Sequence, residues 1–511
     1  MKGARIFGEL TGETLRAGLA SGDVTSAVLR QGFIETPAHP IRAAASFKTA
    51  LSTLLSQENF DKLTVLRKSN LRYDDYVRTG ALKQLGVGGA EDVDEFYKSL
   101  LASKLPVIGP MIKASNRVFA AYINEMGWRG MDDVIRGREK VGALTERAVL
   151  EKKATDLGFD TLDALRQASN KVTMGQRVSK SGQVLDVLAK DGIEWTDEIQ
   201  DVADLEQARF VDIQAWGTAM NHMLGRGGLP VIKYQGRQVS TASFFNHAFF
   251  APGLTASYAQ IPIDLATNIF RPESRWVVGE MAKDLGKAVA VGASVMAVLK
   301  MSRRKDVKIV DDPLRADFGA VQMGTQRFNI WAGYQPIVRT AYQWRLNERL
   351  YSGTDIPYHP GRINIAWQFI RSKLHPRYNL AAQYAPVLFG ETPKTYNGDP
   401  IEASFGGVTK EIREHMASLF WQDLADALGN EGLMGLTALV GNFGLGSQSY
   451  EANVEKYWRS VGGKGELRDQ HLVTQEQILK NYWKARPPKE QLFRQPGSRL
   501  EANQKRPWGF R

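Results

Sequence analysis

The chain has 511 residues, with 66 Lys and Arg against 55 Asp and Glu, a formal net charge of +11 and no cysteine. The lack of thiols excludes a disulfide scaffold, a cysteine nucleophile and a thiolate zinc or iron–sulfur site. A hydrophobic fraction of 43% is enough for a folded core, and the basic excess favours phosphate-bearing partners such as DNA or an anionic membrane surface.

Apolar residues three and four positions apart predict successive helices in the first half of the chain. We assign residues 1–140 to an N-terminal helical region. A second region, 141–240, contains a predicted helix over 144–156, a long helix over 197–224 and a hairpin over 231–240 that turns at its Gln-Gly pair.

The third region, 241–450, is also mainly helical, with a second hairpin predicted near 318–331. The predicted fold class is therefore mainly α: a multi-helix, elongated or multi-lobed chain with strands confined to short hairpins near 231–240 and 318–331. Since no apolar run reaches the roughly 18 residues that span a bilayer, we expect no ordinary transmembrane helix.

Standard catalytic patterns are absent from the sequence, including nucleotide-binding loops, the zinc-protease H-E-x-x-H and the nucleophile elbow G-x-S-x-G. No two of the seven histidines lie at ligand spacing. Asp317-Phe318-Gly319 imitates the kinase magnesium triplet but lacks the accompanying kinase motifs. We therefore predict no catalytic residue, no cofactor and no metal site, and expect a protein that is not an enzyme.

Two apolar segments are candidates for contact with a membrane or with a second copy of the chain. Residues 288–299 form an apolar run flanked by Lys287 and by Lys300, and residues 432–446 are glycine-rich and uncharged. Each fits either a buried helix or packed loop, or a segment that contacts a membrane or a second copy in an oligomeric pore. The predicted contact residues are Ala288, Val291, Val295, Leu299, Leu433, Leu436 and Leu439.

The last region, 451–511, is predicted to be a basic extended C-terminal arm. Residues 484–511 hold eight Lys or Arg, two Glu and four Pro, a composition that cannot bury enough surface to fold alone. The arm fits DNA binding, with phosphates neutralised by its cations, or docking on a neighbouring protein through aromatic residues. Its candidate residues are Lys484, Arg486, Lys489, Arg494, Arg499, Lys505, Arg506, Trp508 and Arg511.

One stretch, ADFGAVQMGTQRFNIWAGYQ, resembles a segment near the C-terminus of large polyvalent bacteriophage proteins. The matching positions are Asp317, Phe318, Gly324, Arg327, Phe328, Trp331, Gly333, Tyr334 and Gln335. Four further stretches, at 245–260, 371–376, 390–400 and 444–450, are similar to segments of the same family in the same order.

The resemblance implies an internal virion protein, packaged inside the capsid or at the portal or tail and ejected with the DNA to the host envelope or cytoplasm. Its implied partners are portal or other internal virion proteins, phage DNA, the host membrane and further copies of the chain in a homo-oligomer. One alternative is a structural head, portal or tail component that stays in the particle. Another is an enzyme such as a peptidoglycan hydrolase, for which no sequence pattern places a catalytic Glu.

Within the resembling stretch we expect a structural corner. Its predicted members are Asp317, Phe318, Gly324, Arg327, Trp331, Gly333 and Tyr334. We expect Arg327 to hydrogen-bond to backbone carbonyls or a carboxylate, and Trp331 to be buried.

Overall fold

A computed structural model describes seven parts of the chain, with gaps of one or two residues inside them: 34–83, 108–178, 195–240, 252–302, 307–373, 447–449 and 453–485. Helix accounts for 72% of these described residues, which confirms the mainly α fold class.

The helices of the first half begin at recognisable signals. Pro40 opens α2, where its missing N–H costs no hydrogen bond. The Ser56 hydroxyl caps α3 and the Thr196 hydroxyl caps α7, each by accepting a bond from a backbone N–H of the first turn. The elements are α1 (Glu35–Ala38), α2 (Pro40–Leu51), α3 (Gln57–Lys68), a π-helix (Asp74–Arg78), α4 (Ile108–Lys140), α5 (Arg147–Asp156), α6 (Leu162–Val178) and α7 (Asp197–Met223).

The second half continues with helices of 8 to 27 residues. They are α8 (Pro252–Ile269), α9 (Arg275–Met301), α10 (Tyr334–Leu346), α11 (Arg362–Arg371), α12 (Asn453–Ser460) and α13 (Leu472–Lys484), with short 3-10 turns at Pro272–Ser274 and Leu467–Asp469.

Both predicted hairpins are confirmed. The first pairs β1 (Val231–Tyr234) with β2 (Arg237–Ser240). The second predicted hairpin corresponds to β4 and β5, and the other strands lie in the same region, 241–450. The strands of this region are β3 (Val307–Ile309), β4 (Ala320–Met323), β5 (Gln326–Asn329), β6 (Arg349–Leu350), β7 (Pro357–Tyr358) and β8 (Ser447–Ser449).

The second hairpin, β4–β5, is the centre of a larger antiparallel sheet in the order β3-β4-β5-β8, and β6 pairs with β7 alone. Strands therefore also occur outside the two predicted hairpins. Segments of two or three residues are too short to show the period-2 alternation on which strand prediction depends.

One helix, α7, joins the two larger hydrophobic cores. Its residues 199–203 pack with α5 and α6, whereas its residues 213–224 pack with α2, α4, α8 and the first half of α9. The boundaries predicted at residues 140 and 240 therefore do not separate independently packed regions. Helical periodicity marks apolar faces but does not specify which faces meet.

Residues 453–485 form a smaller core rather than the beginning of an extended arm. Leu467, Leu479 and Tyr482 are buried there, and Tyr351 and Ile356 from the β6–β7 loop pack against them. The arm predicted over 451–511 is thus helical in its first part, because apolar residues at helical spacing in α12 and α13 find a partner surface. Lys484, predicted as an arm residue, is the last residue of α13.

A buried arginine connects the N-terminal helices. Arg209 of α7 is 1% exposed, and it donates to Asp75 Oδ2 at 2.7 Å and to Glu139 Oε1 at 2.8 Å. Arg147 of α5 pairs with the other oxygen of Asp75, and Arg72 pairs with the other oxygen of Glu139. Burial opposes the charge of Arg209, but the two carboxylates outweigh it and raise the pKa of the guanidinium above its ordinary value.

We predict that Arg209→Ala lowers the free energy of unfolding by about 3–5 kcal/mol, because it leaves two carboxylates buried with less compensation. Urea unfolding followed by circular dichroism measures this. The control is Lys62→Ala, which removes an exposed i,i+4 pair with Glu58 and should change stability by no more than about 0.5 kcal/mol. Equal effects of the two substitutions would show that the Arg209 cluster does not hold the helices together.

Candidate functional site: the valine face of helix α9

The 27-residue helix α9 has two different halves. In the first half Val277, Met281, Asp284 and Ala288 are buried, at the spacing of one helical face. The indole of Trp276 packs beside them and donates to Asp212 Oδ1 of α7 at 2.8 Å. The first half is thereby fixed to the protein core.

In the second half the valines are exposed. Val291, Val295 and Val298 lie at i, i+4 and i+7 and form one exposed stripe, which we call the valine face. Val298 is 65% exposed, and Met301 at the end of the helix is more exposed still. An ordered apolar stripe of this kind on a protein surface is typical of an interaction site.

Positive charge follows the valine face in the sequence. Lys300 lies in the last turn of α9, where a cation also complements the helix dipole. In the sequence the helix is followed directly by Ser302 and then by Arg303, Arg304 and Lys305. An apolar stripe that ends in basic residues matches a surface that is apolar inside and anionic at its boundary.

The predicted contact residues have different outcomes. Val291 and Val295 are exposed on the valine face, whereas Ala288 is buried in the core and Leu299 is only partly exposed. Leu433, Leu436 and Leu439 lie outside the described residues. Of the two predicted apolar segments, the structure thus describes only the first.

Trp331 of the predicted corner packs against α9. A Cβ added at Gly292 would lie 3.0 Å from the ring atoms Cη2 and Cζ3 of Trp331, so the small residue lets the indole approach the helix backbone. Gly319 lies on another side of the same ring, with a φ of +73° that L side chains rarely adopt. Trp331 is half-buried rather than fully buried, because its ring covers the helix from the side.

The other described corner residues lie around Trp331. Gln335 donates from Nε2 to the Phe318 carbonyl at 2.7 Å, and the Asp317 carbonyl accepts from the Ala320 N–H. Tyr334 meets Tyr258 of α8 edge-to-face, with 4.8 Å between ring centroids, and burial raises the pKa of the Tyr334 hydroxyl. The corner connects the β4–β5 hairpin, α8 and α9.

Three of the predicted corner residues lie wholly or partly outside the described residues. Arg327 lies in β5 opposite Gln322, but its side chain is outside the described residues, as are Gly324 and Gly333. The arm residues after Lys484 are outside them too: Arg486, Lys489, Arg494, Arg499, Lys505, Arg506, Trp508 and Arg511.

A second cluster was missed by the sequence patterns. Glu35, His39 and Asp284 each offer a ligand atom, and these three atoms lie within 4.8 Å of one another. The i,i+4 spacing of Glu35 and His39 was visible in the sequence, but only the packing of α1 on α9 brings in Asp284. Burial raises the pKa of Glu35, whereas for Asp284 the effect of burial is outweighed by His39 and Lys287, which lower its pKa.

Among the described residues, the helices include none that is both long enough and apolar enough to cross a membrane. No family model, curated protein or solved structure matches this chain.

We predict that Gly319→Ala destabilises the protein by about 2–4 kcal/mol, because it adds a strained backbone conformation and a contact with Trp331 that is too close. The new Cβ would lie 2.8 Å from Trp331 Cδ1. Chemical denaturation gives the free energy of unfolding.

The matched control is Gly80→Ala. Gly80 has a φ of +76°, nearly that of Gly319, but an added Cβ would meet nothing within 4 Å. Its cost should be the backbone strain alone, about 1 kcal/mol. If the two substitutions cost the same, the packing of Trp331 on Gly319 does not stabilise the corner.

Proposed function

We propose that this protein is a non-enzymatic internal virion protein of a bacteriophage, carried in the particle with the genome and delivered with it to the host envelope or cytoplasm. The valine face of α9, which ends in basic residues, is the observation that carries the proposal. The ordered resemblance to polyvalent phage proteins at 245–450 supports the setting, and the net charge of +11 suits a protein packed with DNA.

The valine face suits the surface of an anionic membrane. A helix that presents an apolar stripe beside cations lies in the interface, with its apolar side chains in the outer acyl region and its cations at the lipid phosphates. Each cation near such a surface contributes roughly 1 kcal/mol. Lys300, Arg303, Arg304 and Lys305 are four such cations within six residues of the sequence.

The packing of the first half of α9 holds the valine face at the protein surface. Its first half is buried between α1, α7 and α8, and Trp331 supports the beginning of the second half at Gly292. The exposed valines are therefore presented on a helix held at one end by the core. Membrane contact through this face needs no unfolding of the core.

Phage DNA and other virion proteins are the further proposed partners. The arm that follows α13 carries seven basic and two acidic residues from Arg486 to Arg511, which fits neutralisation of DNA phosphates. The salt dependence of DNA binding by a chain truncated after Ala485 measures that contribution. Further copies of the chain and a portal or other internal protein are the partners through which a conduit across the envelope would assemble.

The charges of the described core support a non-enzymatic role. Asp75, Glu139 and Glu206 are buried carboxylates, and each is paired with an arginine from another helix or turn. Carboxylates paired with arginines in this way hold helices together and are not presented to a substrate.

The alternative function is a head, portal or tail component that stays in the particle. Such a component would share this architecture and would differ in its fate during infection.

We predict that Val298→Asp reduces binding to vesicles of phosphatidylglycerol and phosphatidylethanolamine by about tenfold, because it places a charge on the apolar side of an interfacial helix. Co-sedimentation of the full chain with the vesicles measures the bound fraction. The same vesicles made of phosphatidylcholine alone should bind the wild-type chain more weakly.

The matched control is Val65→Asp in α3. Val65 and Val298 are both 65% exposed and both lie on helices. Val65 is followed by two cations, Arg67 and Lys68, of which Arg67 is paired with Glu125, whereas four cations follow Val298. Val65→Asp should bind vesicles like the wild type. Equal binding by wild type and Val298→Asp, or an equal loss in both variants, would rule out the valine face as the membrane contact.

A further inference from the structure

Glu35, His39 and Asp284 meet where the N-terminal helix packs on α9. Glu35 opens α1, and His39 follows one helical turn later, with its N–H bonded to the Glu35 carbonyl at 3.0 Å. Asp284 lies in the buried half of α9, across the contact from α1. His39 Nε2 lies 2.9 Å from Asp284 Oδ1, and its side chain is 22% exposed, which leaves a path from solvent.

One oxygen of Glu35 has no partner. The side chain is completely buried, and its Oε2 accepts from Arg42 Nη1 at 2.9 Å. Its Oε1 is buried without any hydrogen bond. A buried carboxylate oxygen without a partner costs free energy, and a bound cation would satisfy it.

The donor set and spacing fit a transition-metal ion. One imidazole nitrogen with two carboxylate oxygens suits Zn²⁺ or Mn²⁺, whereas Mg²⁺ prefers oxygen ligands alone. Two neighbouring ligands about 2.1 Å from an ion lie roughly 3.0 Å apart in an octahedral site and roughly 3.4 Å apart in a tetrahedral one, which is the usual geometry of Zn²⁺. The 2.9 Å between His39 Nε2 and Asp284 Oδ1 is close to the octahedral separation and would have to widen slightly around a tetrahedral Zn²⁺.

Two cations already adjoin the cluster. Lys287 Nζ lies 3.0 Å from Asp284 Oδ1, and Arg42 holds Glu35 Oε2. The Lys287 side chain is more than a third exposed, so its ammonium can leave Asp284 and return to water. Arg42 binds the other oxygen of Glu35 and can remain in place.

We propose that Glu35, His39 and Asp284 bind one divalent transition-metal ion, which ties α1 to the buried half of α9. The ion takes Glu35 Oε1, His39 Nε2 and Asp284 Oδ1, and it displaces the Lys287 ammonium. Because α9 also carries the valine face, the ion strengthens the base from which that face projects.

Isothermal titration of the full chain, stripped of metal with EDTA, tests the site with ZnCl₂, MnCl₂ and MgCl₂. We expect about one Zn²⁺ or Mn²⁺ per chain and no comparable uptake of Mg²⁺. His39→Ala should weaken Zn²⁺ binding at least about tenfold. Asp284→Asn, which keeps the shape of the side chain, should do the same and serves as the second variant if His39→Ala does not fold.

Two further variants make the test specific. His222→Ala removes the histidine that pairs with Asp264 elsewhere in the core, and it should leave Zn²⁺ binding unchanged. Lys287→Ala should bind Zn²⁺ more tightly, because the ion no longer competes with the ammonium. The proposal is overturned if the wild-type chain takes up no stoichiometric ion, if His39→Ala and His222→Ala weaken binding equally, or if Lys287→Ala binds more weakly than the wild type.

Discussion

The ion pairs of Arg209 are the contact on which the helical core depends. Three parts of the chain that are far apart in the sequence meet at this guanidinium: the π-helix through Asp75, the end of α4 and the loop after it through Glu139 and the Thr145 carbonyl, and α7 itself. Taking one cation and two anions out of water is costly, so this packing is stable only when all the partners are in place. Such a cluster also selects one arrangement of the helices, since a shifted helix would leave a buried charge unpaired.

That fixed core determines how α9 is presented. The helix is too long for the surface it packs on, and its last turns project with their valines in contact with solvent. Trp331 lies against Gly292, close to the point on the helix where burial ends. The ion proposed at Glu35, His39 and Asp284 lies about two turns earlier on the same helix, within the buried half. The valine face therefore projects from a helix whose first half is packed in the core.

Local signals in the sequence were sufficient for several of the helices and for the two hairpins, and insufficient for the short strands and for the assembly of the elements. The hairpin at 231–240 and the long helix ending near Met223 follow from turn residues and apolar spacing, and both are present. The joint core of 34–144 and 213–288 and the four-stranded sheet containing β8 depend on contacts between distant segments, which periodicity does not encode. For the same reason Val291 and Val295 were predicted from an apolar run, but only the fold distinguishes them from the buried Ala288. Asp284 could not be assigned to a cluster from its own surroundings in the sequence.

We propose that the protein leaves the particle with the DNA. Quantitative mass spectrometry of purified phage particles that carry this chain, before and after ejection is triggered, measures its copy number directly, with the major capsid protein as the reference. We predict that the chain is present in intact particles and strongly depleted from emptied ones. An unchanged copy number in emptied particles would contradict delivery and identify the protein as a retained structural component, and its absence from intact particles would contradict a virion role altogether.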